Sequence, residues 1–179
     1  GYTIKEKLYE SQRSLIYRAV REKDKRPVVI KILNKDYPSS EEIARFEYEF
    51  QITQKLDIHG VIKIHDLVKY KNTLAIIEED ISGMDLASIL SEINSFDIFL
   101  ELAINIATIL GNIHQNNIIH KDINPRNIIW NPKTKELRII DFGISTKLSR
   151  ERQDINIANI LEGSLPYISP EQTGRMNKD

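Results

Sequence analysis

His120-Lys121-Asp122-Ile123-Asn124-Pro125-Arg126-Asn127, followed after a short hairpin by Asp141-Phe142-Gly143, is the stretch on which the fold turns. The hairpin is legible in its composition. Ile128-Ile129-Trp130 and Leu137-Arg138-Ile139-Ile140 are short apolar runs around the turn Asn131-Pro132-Lys133-Thr134. One polar residue, Asn127, enters the first run and another, Asp141, leaves the second. The hairpin therefore fixes the separation of two oxygen donors of the kind that hard Mg²⁺ takes. Asp122 sits five residues before Asn127 in an irregular loop, where it can accept or orient the proton of an attacking hydroxyl. Moving a phosphoryl group needs little more than this: cations on the phosphates, an aligned hydroxyl, and a fixed frame.

Upstream, Leu15–Val20 and Val28–Leu33 are β-branched-rich runs joined through the polar segment 21–27, and residues 2–33 as a whole read as strands. Lys31 is a lone charge in the second run, with Ile30 and Ile32 facing the other way. It can hold phosphate oxygens where its own charge is neutralised. Ser39-Ser40-Glu41-Glu42 is a capping box with Ser39 as N-cap, opening a helix to about Leu56 whose apolar stripe is Ile43, Phe46, Phe50 and Leu56. Glu49 falls on the edge of that stripe and is the candidate partner of Lys31. Ile62–Val68 and Thr73–Ile77 complete a sheet of about five strands with one inserted helix in the first eighty residues. These strands come as antiparallel hairpins, which disfavours an all-parallel α/β fold.

Beyond residue 80 the pattern changes. Leu86–Ile93 reads as a short helix. Phe96–Gln115 reads as a long one, apolar on several faces and so expected to be buried. Asn116-Asn117 suits a left-handed helix end. Little regular pattern is visible from Ser145 to Asp179.

Taken in order, Val28-Val29-Ile30-Lys31, Glu49, His120-Lys121-Asp122 with Asn127, Asp141-Phe142-Gly143 and Ser169-Pro170-Glu171 resemble the protein-kinase signature set, over the whole chain. The resemblance implies an α+β, bilobal kinase fold. Its N-lobe (1–80) is an antiparallel five-stranded sheet with one helix. Its C-lobe (81–179) is mainly helical and partial, ending just after the Ser-Pro-Glu motif. It implies ATP and Mg²⁺ as cofactors and transfer of the γ-phosphate to a protein Ser/Thr hydroxyl.

Carried over by motif, Lys31 contacts the α- and β-phosphates and pairs with Glu49, Asp122 is the catalytic Asp, and Asn127 and Asp141 hold the metal. Ile16, Val29 and Ile129 sandwich the adenine, and Glu79-Asp80-Ile81 is the hinge whose backbone meets its edge. Residues 144–167 are the activation segment, with Gly163-Ser164 as its substrate-docking turn. His120 is assigned to packing and hydrogen bonding in the core, and Trp130 to the core.

The motifs His120–Pro125, Asp141–Thr146 and Ser169–Asn177 look like one bacterial family of large signalling proteins. Those carry an N-terminal Ser/Thr-kinase-like domain, then an AAA-type ATPase, GAF or PAS sensors, and often a histidine kinase. On that resemblance, and because no Met starts it, the chain is expected to be the front of a longer protein.

Departures from the kinase pattern qualify the expectation. Tyr9, Ser11 and Ser14 stand where a glycine-rich loop has glycine, which predicts weaker ATP binding or a slower rate. Lys121 replaces the usual Arg before the catalytic Asp and offers only a point charge to a phosphorylated segment. Ser145, Thr146, Ser149 and Ser164 are the hydroxyls available there. Asn124 stands where Ser/Thr kinases place Lys, and Arg126 is positioned to compensate. Glu78 falls near the gatekeeper position, where an acid is unusual. Rival readings are a pseudokinase-like nucleotide-binding regulatory module and a small-molecule phosphotransferase. The Gly163-to-Glu171 segment speaks against the second.

Composition sets the outer bounds. The 179 residues carry 25 Lys+Arg against 26 Asp+Glu, a net charge of −1, which argues against a nucleic-acid binder. With 41% hydrophobic and 28% charged residues the chain is ordinary globular. It has no cysteine, so a disulfide scaffold, a thiolate metal site and a Cys nucleophile are excluded. His59, His65 and His114 have no ligand-like spacing, and no zinc is expected. The longest apolar stretch is interrupted by Asp97, Glu101, Asn105 and Asn112, and no membrane span is expected. The default compartment is the cytoplasm.

Overall fold

A computed structural model describes residues 1–147 and 163–173. Strands β1 (Tyr2–Glu10), β2 (Ser14–Arg21), β3 (Pro27–Leu33), β4 (Ile64–Tyr70) and β5 (Thr73–Glu79) form one antiparallel sheet in the order β1-β2-β3-β5-β4. The helix α1 (Ser40–Gln54) is inserted between β3 and β4. Its capping box is complete: Ser39 Oγ accepts from the Glu42 N–H, and the Glu42 carboxylate accepts from the Ser39 N–H. The helix stops two residues short of the expected Leu56. Its buried face is Phe46, Glu49, Ile52 and Thr53, so Ile52 belongs to a stripe from which it was left out.

Register decides which side chains meet. Lys31 pairs with Ile76 and Val29 with Glu78, and residues directly opposite in an antiparallel pair point to the same face. One face of the sheet therefore carries Val28, Ile30, Ile32, Ala75 and Ile77, packed into a core with Ala19. The other carries Val29, Lys31, Ile76 and Glu78, and on this side Leu33, Leu74 and Ile76 pack against Phe46 of α1.

The second half holds β6 (Met84–Asp85), α2 (Leu86–Ile89), α3 (Phe96–Gln115), β7 (Ile118–Ile119), β8 (Ile128–Asn131), β9 (Glu136–Ile139) and β10 (Thr146–Lys147). The helix expected over Leu86–Ile93 is a single turn capped by Asp85, continued by a 3₁₀ turn at Leu90–Glu92. β8 and β9 form the anticipated hairpin, and Asn117 takes a left-handed φ of 58° after α3. The two halves are stitched at Gly60 and Ile62. The Ile139 N–H donates to Gly60 O at 2.7 Å, and the Ile62 N–H donates to Ile139 O. Gly60 has φ 93°, and a Cβ there would stand 2.3 Å from Ile109 Cδ1, so glycine alone fits both the turn and the contact with α3.

The expectation that α3 is buried is corrected. Leu102, Ile109 and Ile113 enter the core with Val61, Leu86, Ile128 and Phe142. Phe96, Phe99, Leu100 and Ile104 are exposed, Phe96 at 74%. By length and composition alone, at a mean hydropathy of 1.6, this helix is long and apolar enough to cross a membrane. The three core residues on one face instead match a helix laid against a protein core.

Candidate active site

Lys31 is the centre of the site. Its Nζ donates to Glu49 Oε1 at 2.5 Å and to Asp141 Oδ1 at 3.1 Å. The pairing of Lys31 with Glu49, which the kinase resemblance implies, is present. Burial works to lower the Lys31 pKa, but Asp141, Glu49 and Glu78 overcome it and raise the net value, so the ammonium stays charged. Burial raises the Glu49 carboxyl against the pull of Lys31. Lys31 holds the Asp141 carboxyl below the usual range, against the effect of burial.

Asp122 is fixed on both carboxylate oxygens. Oδ1 accepts from the Ser164 N–H at 2.9 Å and from Asn124 Nδ2 at 3.1 Å; Oδ2 accepts from Asn127 Nδ2 at 3.0 Å. Asn124, buried, caps the 3₁₀ turn Pro125–Asn127 by accepting from the Arg126 N–H and also donates to Ser164 Oγ. In this way Asn124 bridges the Asp122 carboxylate and the Gly163-Ser164 turn, a role its position alone did not disclose. Arg126 is exposed. Lys121 and Asp141, on either side of this network, have φ of 68° and 65°, the kind of backbone strain that gathers at functional sites.

His120 lies in the core as assigned. Its ring stands edge-on to Phe142 with centroids 4.6 Å apart. Nδ1 accepts from the Asp122 N–H, so Nε2 carries the proton donated to Ile140 O at 2.9 Å. Burial lowers its pKa, partly offset by that hydrogen bond.

Asn127 and Asp141 fit a divalent cation. The Asn127 amide nitrogen is committed to Asp122, which turns its carbonyl oxygen the other way, and Asp141 offers a carboxylate that Lys31 holds through Oδ1. Among those residues no group of three or more acidic, His or Cys side chains forms a protein-only cage. Two protein oxygens are what Mg²⁺ needs when phosphates and water complete its octahedron.

The residues expected to meet the base lie on β2, β3 and β8 and after β5. Ile16, paired with Lys31, and Val29 and Ile129 are half-buried. Ile81 is buried, and its carbonyl accepts from Asn131 Nδ2 at 2.7 Å. The hinge side chains have their own partners, which sequence reasoning missed. Glu79 pairs with the buried Arg138 of β9 at 2.8 Å, and Asp80 pairs with Arg18 of β2 at 2.7 Å. Arg138 carries the same signal that drew attention to Lys31, a lone charge inside an apolar strand. Glu78 is buried, at 7% exposure. Burial pushes its carboxyl up to about 8, against the pull of Lys31.

The loop without glycines is held by serine and asparagine. Ser11 Oγ accepts from the Arg13 and Ser14 N–H groups, and Asn34 at the end of β3 binds both Ser11 O and Arg13 O. None of its residues takes a positive φ, so glycine is not required for this turn. Of the hydroxyls expected to be available, Ser145 is corrected: it is buried and donates to Phe142 O at 2.7 Å. Residues 148–162 of the expected activation segment, with Ser149, lie outside the described residues, as do the Glu171 side chain and residues 174–177.

The model of the protein kinase domain matches residues 2–179. The serine/threonine-protein kinase PrkC of Bacillus subtilis is 35% identical over 150 residues, covering 82% of this chain and 23% of the relative. A probable serine/threonine-protein kinase of Clostridium perfringens is 30% identical over 176 residues, covering 96% and 25%. The serine/threonine-protein kinase PknL of Mycobacterium tuberculosis is 24% identical over 182 residues, covering 99% and 45%. The chain thus spans about a quarter of the length of the first two relatives. With the Lys–Glu pair, the Asp–Asn loop and the Asp-Phe-Gly turn in one cluster, and a family match along nearly its whole length, this chain belongs to the Hanks-type protein kinase family.

Proposed function

We propose that this domain transfers the γ-phosphate of Mg-ATP to a protein Ser or Thr hydroxyl in bacterial signalling. The observation that carries the reading is the convergence of Lys31, Glu49 and Asp141 on one side of the cleft with a doubly anchored Asp122–Asn127 pair on the other. Lys31 would hold the α- and β-phosphates and Glu49 would hold Lys31. Asn127 and Asp141 would ligate Mg²⁺, which when bound neutralises phosphate charge. Asp122 would orient the substrate hydroxyl. The new bond would join that oxygen to the γ-phosphorus, its proton passing to the Asp122 carboxylate, while the bond to the β–γ bridging oxygen would break and ADP would leave with the electron pair. Residues 1–80 would act as the N-lobe and 81–179 as part of the C-lobe.

The domain would work in the cytoplasm, where Mg-ATP is at hand. Downstream AAA-ATPase and sensor domains are the setting that the motif resemblance suggests. The test is phosphate transfer from labelled Mg-ATP by the full chain, with Asp122→Ala alongside and the modified residues read by mass spectrometry. Label on Ser or Thr that requires Asp122 supports the reading. A folded protein that binds nucleotide and transfers nothing would make it a regulatory module instead.

A further inference from the structure

Glu78 is a buried carboxyl for which the mechanism above has no use. It makes no hydrogen bond or ion pair among the described residues, whereas the neighbouring buried Glu49 is held by Lys31. No wholly buried side-chain nitrogen or oxygen in the described residues lacks a partner, so the Glu78 oxygens reach the cleft rather than ending in the core. Lys31, a nearby cation, is already engaged by Glu49 and Asp141. A carboxyl left so nearly desolvated is unfavourable unless something supplies a donor.

Its position says what that something is. Glu78 stands directly opposite Val29, on the cleft face it shares with Lys31. Val29 is two residues along β3 from Lys31, about 7 Å further from the phosphate end at the usual strand rise. Glu78 also immediately precedes the segment Glu79-Asp80-Ile81. With the phosphates held at Lys31, an acid at this point would face the base of a nucleotide.

We propose that Glu78 is a specificity-determining residue whose carboxyl accepts a hydrogen bond from the exocyclic amine of adenine. Burial keeps its proton near neutral pH, so the carbonyl oxygen accepts while no net charge is placed beside the triphosphate. The inference rests on the nucleotide reading given above.

The test is a binding cycle in the full chain with Mg²⁺ present. ATP is compared with purine riboside triphosphate, which lacks the amine, in wild type, Glu78→Leu and Glu78→Gln, by calorimetry. Loss of the amine is expected to weaken binding to wild type by roughly fivefold to tenfold more than binding to Glu78→Leu. The Gln variant keeps a carbonyl acceptor and is expected to keep the penalty. An equal penalty in wild type and Glu78→Leu, or loss of the penalty in Glu78→Gln, overturns the assignment while ATP binding stands. No binding of either triphosphate to wild type overturns the nucleotide reading and this inference together.

Discussion

Lys31 Nζ lies 2.5 Å from Glu49 Oε1 and 3.1 Å from Asp141 Oδ1, so a single ammonium ties β3 to α1 and to the segment after β9. Its removal leaves the buried Glu49 without its cation. Lys31→Met is expected to abolish transfer and to destabilise the fold by about 3 kcal/mol, the range for breaking a buried pair. The double variant Lys31→Met/Glu49→Leu should recover most of the stability and none of the activity. Urea unfolding of the three proteins decides it; equal stability of single and double variants would refute the account.

Asp122 is held by Asn124, Asn127 and the Ser164 backbone, across 42 residues in the last case. Asp122→Ala should lower transfer by about a hundredfold or more. Asn124→Ala removes the amide shared by Asp122 and Ser164, so the turn at Gly163 should loosen. Expected are a transfer rate lowered by roughly tenfold, from one lost anchoring bond of about 1.5 kcal/mol, and faster amide exchange at Ser164. Unchanged exchange in the Asn124 variant would show that the bridge holds nothing.

Arg138 joins β9 to the segment after β5 through Glu79 and also reaches Leu137 O and Glu136. Arg138→Ala leaves a partly buried Glu79 carboxylate unpaired. A loss of about 3 kcal/mol and a raised KM for ATP are expected, with kcat changed less. Arg138→Lys should not restore the wild-type value, since an ammonium cannot reproduce the planar fork that reaches three acceptors. Steady-state kinetics with thermal unfolding tests both statements.

Glu78 links stability to pH. Burial pushes its carboxyl up to about 8 in the folded chain, from an ordinary value of 4.5. Between those values the folded state holds a proton that the unfolded chain has lost, so this group makes stability fall as pH rises through the window, by on the order of a few kcal/mol in all. Glu78→Gln should flatten that slope between pH 5 and 8. A slope identical to wild type would show that Glu78 is ionised in the fold.

Much of this was legible in order and spacing. The Ser39–Glu42 capping box is a local device, complete within four residues, and it forms as read. The period-2 runs around Lys31 place Ile30 and Ile32 on one face and the charge on the other, because alternation is a property of any strand. Helix periodicity misled at α3. An apolar face shows that a helix has something to cover, but not how much of it neighbouring chain covers, and Phe96, Phe99 and Ile104 are left exposed. Ser145 read as a free hydroxyl because nothing local reveals that the chain turns it back onto Phe142 O.

The sequence by itself determined which chemistry is present: a strand lysine, a helix glutamate, an Asp–Asn loop and an Asp-Phe-Gly turn in kinase order. Each rests on short-range signals of propensity, capping and alternation. Only the tertiary structure decided which charges are neutralised and by whom. Glu79 finds Arg138, Asp80 finds Arg18, Asn124 bridges Asp122 to Ser164, and Glu78 is left facing the cleft. The long-range pairings among them span 40 to 62 positions, the place of Glu78 follows from strand register, and burial fixes their strength. Packing sets burial, register and long-range partners together, and no local pattern in the chain encodes them.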